Sequence, residues 1–280
     1  MRTAPFGWTG APVPVIGQGS WEIERAPRAS VEALQAGFDM GLTHVDTAEM
    51  YGSGKSEELV GEAIAGRREQ VFLASKVLPS NASYDGVLRA CERSLRRLRV
   101  DRLDLYLLHW ESSYPLEETM RAMEKLADDG RIRYIGVSNF DTPQVRAAQR
   151  ALRHHRLAAN QVLYHLGDRG IERKLVPYCA SEGIAVVGYS PFGSGGGFPR
   201  AATPARRALD QIAAARGLTP RQATLQFLTR DGVFVIPKAS AVAHTRENAT
   251  ALDPPLTAED LIAIDRAFPA PDHDTPLGMI

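Results

Sequence analysis

The chain has 280 residues, 33 basic against 33 acidic side chains, 44% hydrophobic residues and two cysteines. A neutral chain with interspersed charges carries no electrostatic footprint for nucleic acid or an anionic membrane, so the expected partner is a small molecule. Its apolar content excludes extended disorder, and its length suits one large domain. Residues 1–10 lack the basic-then-apolar pattern of an export signal, and no apolar run approaches the ~18 residues of a membrane span, so the expected location is the cytoplasm. Cys91 and Cys179 have no partner at metal-ligand spacing and read as buried, unbonded thiols.

In chain order, short β-rich runs alternate with stretches of helical period. The strand candidates are VPVIGQGSW from Val13, THVDTA from Thr43, VFLASKV from Val71, LDLYLLHW from Leu103, YIGVSNF from Tyr134, NQVLYH from Asn160, IAVVGYSP from Ile184 and VFVIPK from Val233. Between them, Tyr84 to Leu98 places Val87, Leu88, Cys91, Leu95 and Leu98 on one face, as a covering helix requires. Helix starts are read at Ser30, at Thr142-Pro143, at Thr219-Pro220 and at Thr257 with Asp260 three residues on. Eight such units predict a single-domain, parallel eight-stranded (β/α)8 barrel over 1–280, with 269–280 an irregular tail. A monomer is expected.

Two phosphate-loop look-alikes fail on spacing. GSGKS from Gly52 has Glu49 where a Walker loop needs glycine, and GSGGG from Gly193 has Phe198 where a dinucleotide fingerprint needs its third glycine. The His154-His155 pair reads as a solvated helix terminus, no His-x-His set stands at a strand end, and no metal is expected in the chemistry.

In a barrel, reacting groups emerge at the C-terminal ends of the strands. Asp46, Lys76 and His109 each stand at such an end, with Tyr51 just beyond Asp46. Singly, each has an ordinary explanation: a cap, a snorkelling cation, a core histidine, a surface ring. Together they describe a proton donor with tuning partners, and Lys is scarce here, five against 28 Arg. A phenol needs a cation to titrate near neutrality. An ammonium at ~4 Å in an effective dielectric of ~20 favours the phenolate by ~4 kcal/mol, roughly three pKa units before desolvation opposes it. Asp46 would keep Lys76 charged, Tyr51 would give a proton to a carbonyl oxygen, and His109 would donate a hydrogen bond to the same oxygen.

The chain resembles the aldo-keto reductases through GLTHVDTAEMYGSGKSEELVGEAI, VFLASK, DLYLLHW, RYIGVSNF, NQVLYH and GYSPFG, over nearly its whole length. The resemblance implies reversible, metal-independent reduction of aldehydes and ketones by NADPH, with Asp46, Tyr51, Lys76 and His109 as the catalytic tetrad. It assigns Ser138, Asn139 and Gln161 to the nicotinamide amide, Tyr189 to its ring, and Ser190 with the loop 193–197 to the pyrophosphate. Lys238 would take the 2′-phosphate and Asn248 the adenine. Further cofactor contacts are implied at Ser20, Pro191, Gly193, Ile236, Ser240, His244, Arg246 and Glu247. Ala239 and His244 stand where members selecting NADP commonly have a hydroxyl and an Arg, so NADH is the alternative cofactor. Ser240 and Arg246 are candidates to compensate.

By the same resemblance Trp21, Met50, Leu78 and Trp110 shape the substrate pocket. A tail as short as 269–280 implies an open site of broad aldehyde tolerance. The alternative from another class is a nicotinamide-binding redox sensor or regulatory subunit with little turnover, against which the intact tetrad argues.

Overall fold

The computed structural model describes residues 1–193 and 203–280. In chain order its strands are β1 (Thr3–Pro5), β2 (Pro12–Pro14), β3 (Gln18–Gly19), β4 (His44–Asp46), β5 (Phe72–Val77), β6 (Leu103–Leu108), β7 (Ile132–Ser138), β8 (Leu157–Leu163), β9 (Ala185–Tyr189) and β10 (Phe234–Ile236). Its α-helices are α1 (Pro27–Asp39), α2 (Lys55–Ala63), α3 (Tyr84–Leu98), α4 (Leu116–Asp128), α5 (Thr142–Ala151), α6 (Leu175–Ser181), α7 (Pro204–Ala215), α8 (Pro220–Leu228), α9 (Val242–Ala249) and α10 (Ala258–Ala267).

Strands β3 to β10 form one sheet in chain order, with every neighbouring pair parallel. The sheet closes on itself where Ile16 bridges Val235 and Gly19 bridges Lys238, completing a (β/α)8 barrel. Closure requires glycine at 19, because a Cβ there would stand 2.7 Å from the Ile236 carbonyl oxygen. Outside the barrel, α3 buries Val87, Cys91, Leu95 and Leu98 against it, each such burial contributing about 1.5–3 kcal/mol for the larger aliphatics. Both cysteines are buried and unbonded.

The first strand differs from its sequence reading. Residues Pro12–Pro14 pair antiparallel with Thr3–Pro5 in a hairpin, and only Gln18–Gly19 enter the barrel. Between the arms of the hairpin, Phe6 is fully buried against Phe72 and Phe234, at centroid distances of 4.8 and 5.0 Å. Phe72 and Phe234 open their strands, so the hairpin plugs the N-terminal end of the barrel.

Two helix starts also differ. Helix α1 begins at Pro27, and Ser30 lies within it, donating to the Ile23 carbonyl at 3.2 Å. Helix α5 is capped by Asp141 in a reciprocal box with Gln144, which leaves Thr142 and Pro143 in the first turn. Thr219 and Thr257 cap α8 and α10 as read, with Gln222 and Asp260 completing their boxes. From 269 onward the chain has neither helix nor strand, and Asp274 is paired with Arg173 and Lys174. Among the described residues no helix is long and apolar enough to cross a membrane.

Candidate active site

Side chains alternate across a strand, so His44 and Asp46 share one face of β4, and Phe72, Ala74 and Lys76 share one face of β5. That face is the barrel interior. The intervening Ser75 points the other way and donates to Glu57 of α2 at 2.6 Å. Register sets Asp46, the last residue of β4, beside Ala74 of β5, and Gln161 of β8 reaches across the interior to donate to Asp46 Oδ1 at 2.7 Å.

Lys76, fully buried, donates to three oxygens: Asp46 Oδ2 at 2.7 Å, the Thr47 carbonyl at 2.9 Å and the Tyr51 hydroxyl at 3.1 Å. Those contacts use all three N–H bonds of an ammonium. The Tyr51 oxygen is therefore an acceptor toward Lys76 and directs its own O–H into the cavity. Tyr51 is placed by the left-handed turn that follows, in which Gly52, Ser53 and Gly54 have φ of 54°, 54° and 92°. That turn is the structural meaning of the GSG run.

Burial opposes the ammonium of Lys76, yet Asp46 and Tyr51 together outweigh it, and its pKa lies above the ordinary value. For Tyr51, burial raises the pKa, Lys76 lowers it, Asp46 raises it, and the net direction is up. The expectation that Lys76 would draw the phenol toward neutrality is thus corrected: desolvation wins, and Tyr51 is a neutral donor at physiological pH. His109 is held down to about 2 by burial and by Lys76, so its ring is neutral. Its Nδ1 is buried without a partner. A proton on Nε2, where solvent or a bound oxygen can accept, is the tautomer that avoids an orphaned donor.

These groups floor a cavity of about 730 Å³, within the usual size of small-molecule sites. Its walls near Tyr51 are aromatic: Trp21 meets Tyr51 edge-on at 4.9 Å, and Trp110 lies 4.8 Å from His109. Two cations also line it, Lys238 and Arg221, the latter 3.8 Å over the Phe192 ring.

The aldo/keto reductase family model matches residues 15–268. The chain is 44% identical to methylglyoxal reductase YeaE of Escherichia coli, over 96% of this chain and 95% of that protein. It is 35% identical to glyoxal reductase of Bacillus subtilis, over 94% of each. The crystal structure of a Klebsiella pneumoniae aldo-keto reductase in complex with NADPH superimposes with a TM-score of 0.93 at 45% identity, covering 100% of this chain and 99% of that one. The chain belongs to the aldo-keto reductase family.

In this aldo-keto reductase the cavity gathers most of the residues singled out from sequence: Ser20, Trp21, Asp46, Met50, Tyr51, His109, Trp110, Ser138, Asn139, Gln161, Tyr189, Ser190, Pro191, Gly193, Ile236 and Lys238. Lys76 lies beneath the floor and acts on it through Asp46 and Tyr51. The donor set fits a nicotinamide dinucleotide. Gln161 commits its N–H to Asp46 and leaves its carbonyl for a carboxamide NH2, Ser138 offers a hydroxyl, and the two cations suit phosphate. Asn139 is already engaged: it donates to the His109 carbonyl and to Ser138, and accepts from Tyr189 at 2.9 Å. Asn139 and Ser190 both hold positive φ, 60° and 50°, at the mouths of β7 and β9, a strained backbone that loops at binding sites often keep.

Several expected members stand elsewhere. Leu78 does not line the cavity; its backbone N–H is held by Glu49 at 2.8 Å. Ser240, His244, Arg246, Glu247 and Asn248 lie on or before α9, outside the lining. His244 is 64% exposed with Nδ1 3.5 Å from Glu247, and Glu247 also accepts from Thr219. The loop assigned to the pyrophosphate lies, beyond Gly193, outside the described residues. The tail that was read as leaving the site open itself contributes to the cavity, since Met279 and Ile280 line it. Their one sequence signal is the return of apolar residues in PLGMI after a polar stretch. Arg221, Phe192 and the buried Glu49, which braces Leu78, Asn81 and Arg93, had no local signal.

Proposed function

We propose that this chain reduces aldehydes with NADPH, 2-oxoaldehydes such as methylglyoxal among them, with Tyr51 as the proton donor. The observation that carries the reading is the Tyr51 hydroxyl directed into the cavity by a buried ammonium whose N–H bonds are all committed. The named activities of the two bacterial relatives and the NADPH complex of the structural relative support it.

When bound, the nicotinamide cofactor supplies the hydride. The chain does the rest. His109, neutral, donates from Nε2 to the carbonyl oxygen and fixes which face of the substrate is presented. Tyr51 donates to the same oxygen, and as negative charge grows there its proton transfers. The phenolate left behind sits 3.1 Å from the Lys76 ammonium, which stabilises it, while Asp46 and Gln161 keep that ammonium in place. Trp21, Met50 and Trp110 form the substrate wall with Met279 and Ile280, an apolar surface that discriminates neighbours by only ~1–3 kcal/mol per methylene. Lys238, retained in the cavity lining, favours NADPH over NADH, while His244 on α9 lacks the permanent charge that would strengthen that preference. We assign the protein to the cytoplasm as a monomer.

The test is NADPH consumption by the purified protein with methylglyoxal and with a nitrobenzaldehyde, repeated with NADH. Turnover of both aldehydes with a lower KM for NADPH is expected. Tight NADPH binding without turnover would replace the reading by the redox-sensor alternative.

A further inference from the structure

The pole of the barrel opposite the cavity carries a second constellation. Helix α4 ends at Asp128, and one helical turn earlier Glu124 is buried, its side chain 3% exposed. Glu124 Oε1 accepts the backbone N–H groups of Arg153, His154 and His155 at 2.9, 2.9 and 3.0 Å. The connection from α5 to β8 is thereby pinned to α4. Both histidine rings then turn the same nitrogen toward one carboxylate: His154 Nε2 is 3.1 Å from each oxygen of Asp128, and His155 Nε2 is 2.9 Å from Oδ1. The ring centroids are 4.7 Å apart, and the three ligand-type atoms all lie within 4.8 Å of one another.

A solvated helix terminus accounts for the exposure of His154 but not for this convergence. A tetrahedral ion with bonds of about 2.0–2.1 Å separates neighbouring ligand atoms by about 3.3 Å, so the two imidazole–carboxylate spacings of 3.1 and 2.9 Å need to open by only a few tenths of an ångström, and the two rings are already within 4.8 Å of each other at their ligand atoms. Two imidazoles and a carboxylate are a donor set for a borderline divalent ion, with a fourth position left for water. An outer carboxylate is also in place, with Glu124 Oε1 3.4 Å from His154 Nδ1, the partner that commonly orients a ligating ring.

We propose that Asp128, His154 and His155 bind one zinc-class divalent ion, which ties the C-terminal end of α4 to the α5–β8 connection. None of the three lines the reaction cavity, and at this pole of a barrel the role is stability and not turnover.

Tag-free protein stripped with a chelator is titrated with zinc chloride by calorimetry, alongside His155→Ala and Asp128→Asn, and melting is followed with and without zinc. The expected result is one zinc per chain in the wild type, affinity lower by about tenfold or more in each variant, and a zinc-dependent rise in Tm confined to the wild type. Cobalt(II) in place of zinc should give the visible spectrum of a tetrahedral ion. NADPH consumption should be the same before and after stripping. Equal affinity in the variants, no binding by the wild type up to millimolar zinc, or binding without a rise in Tm would each overturn the proposal.

Discussion

His44 and Asp46 are two residues apart on β4, face the same barrel interior and are equally inaccessible, yet they sit in opposite surroundings. His44 lies among the rings of Phe6, Phe72 and Phe234, with neither nitrogen in a well-formed hydrogen bond, and burial lowers its pKa to about 4. Asp46 has an ammonium at 2.7 Å and an amide at 2.7 Å. Burial is common to both layers; what separates them is whether the charged form finds partners. The lower layer uses an imidazole as a flat packing ring, and the upper layer maintains ions that can act on a proton.

The contrast makes the upper layer the more vulnerable to losing one partner. Lys76→Met leaves the Asp46 carboxylate buried without its ammonium and is expected to cost about 3–5 kcal/mol of stability in urea denaturation. The double variant Asp46→Leu/Lys76→Met should recover part of that loss. A single variant as stable as the wild type would mean that the two layers do not differ in this way.

In the lower layer the sensitivity is to acid. The folded pKa of His44, about 4, lies below its ordinary value of 6.5, so between those values the unfolded chain binds more protons. Stability should be fully present above pH 6.5 and fall as pH drops toward 4, by about 3 kcal/mol from His44 at the lower limit. His109, depressed to about 2, adds a loss of the same sign. His44→Phe should therefore flatten the acid limb without abolishing it, as read from urea midpoints between pH 4 and 7. An unaltered limb would mean that His44 is not buried neutral.

The smallest effect is expected at the solvated rim. His244→Arg restores a permanent charge on α9, and in water such a charge is worth about 1 kcal/mol, roughly fivefold in the NADPH to NADH ratio of kcat/KM. No change would remove His244 from the cofactor site.

How much of this could be read from sequence follows the same division. The eight strand positions, the α3 stripe and the placing of Asp46, Lys76 and His109 at strand ends depend on local periodicity, and the structure puts those residues together. The Thr219 and Thr257 caps are local as well, whereas the residue before Thr142 turned out to be the better acceptor. What escaped depends on distant partners. Pro12–Pro14 pairs with Thr3–Pro5 instead of the barrel, and Met279 and Ile280 return to the cavity along a path no pattern encodes. The Tyr51 pKa follows the balance of burial against one ammonium, and that balance requires coordinates.

The upper layer exists, on this reading, to make Tyr51 a proton donor. The most direct measurement compares wild type and Tyr51→Phe in NADPH consumption with methylglyoxal, with NADPH affinity followed in parallel by fluorescence. A fall in kcat of about 100- to 10,000-fold with unchanged NADPH affinity is the expected result. Turnover by Tyr51→Phe within a few-fold of the wild type would contradict it.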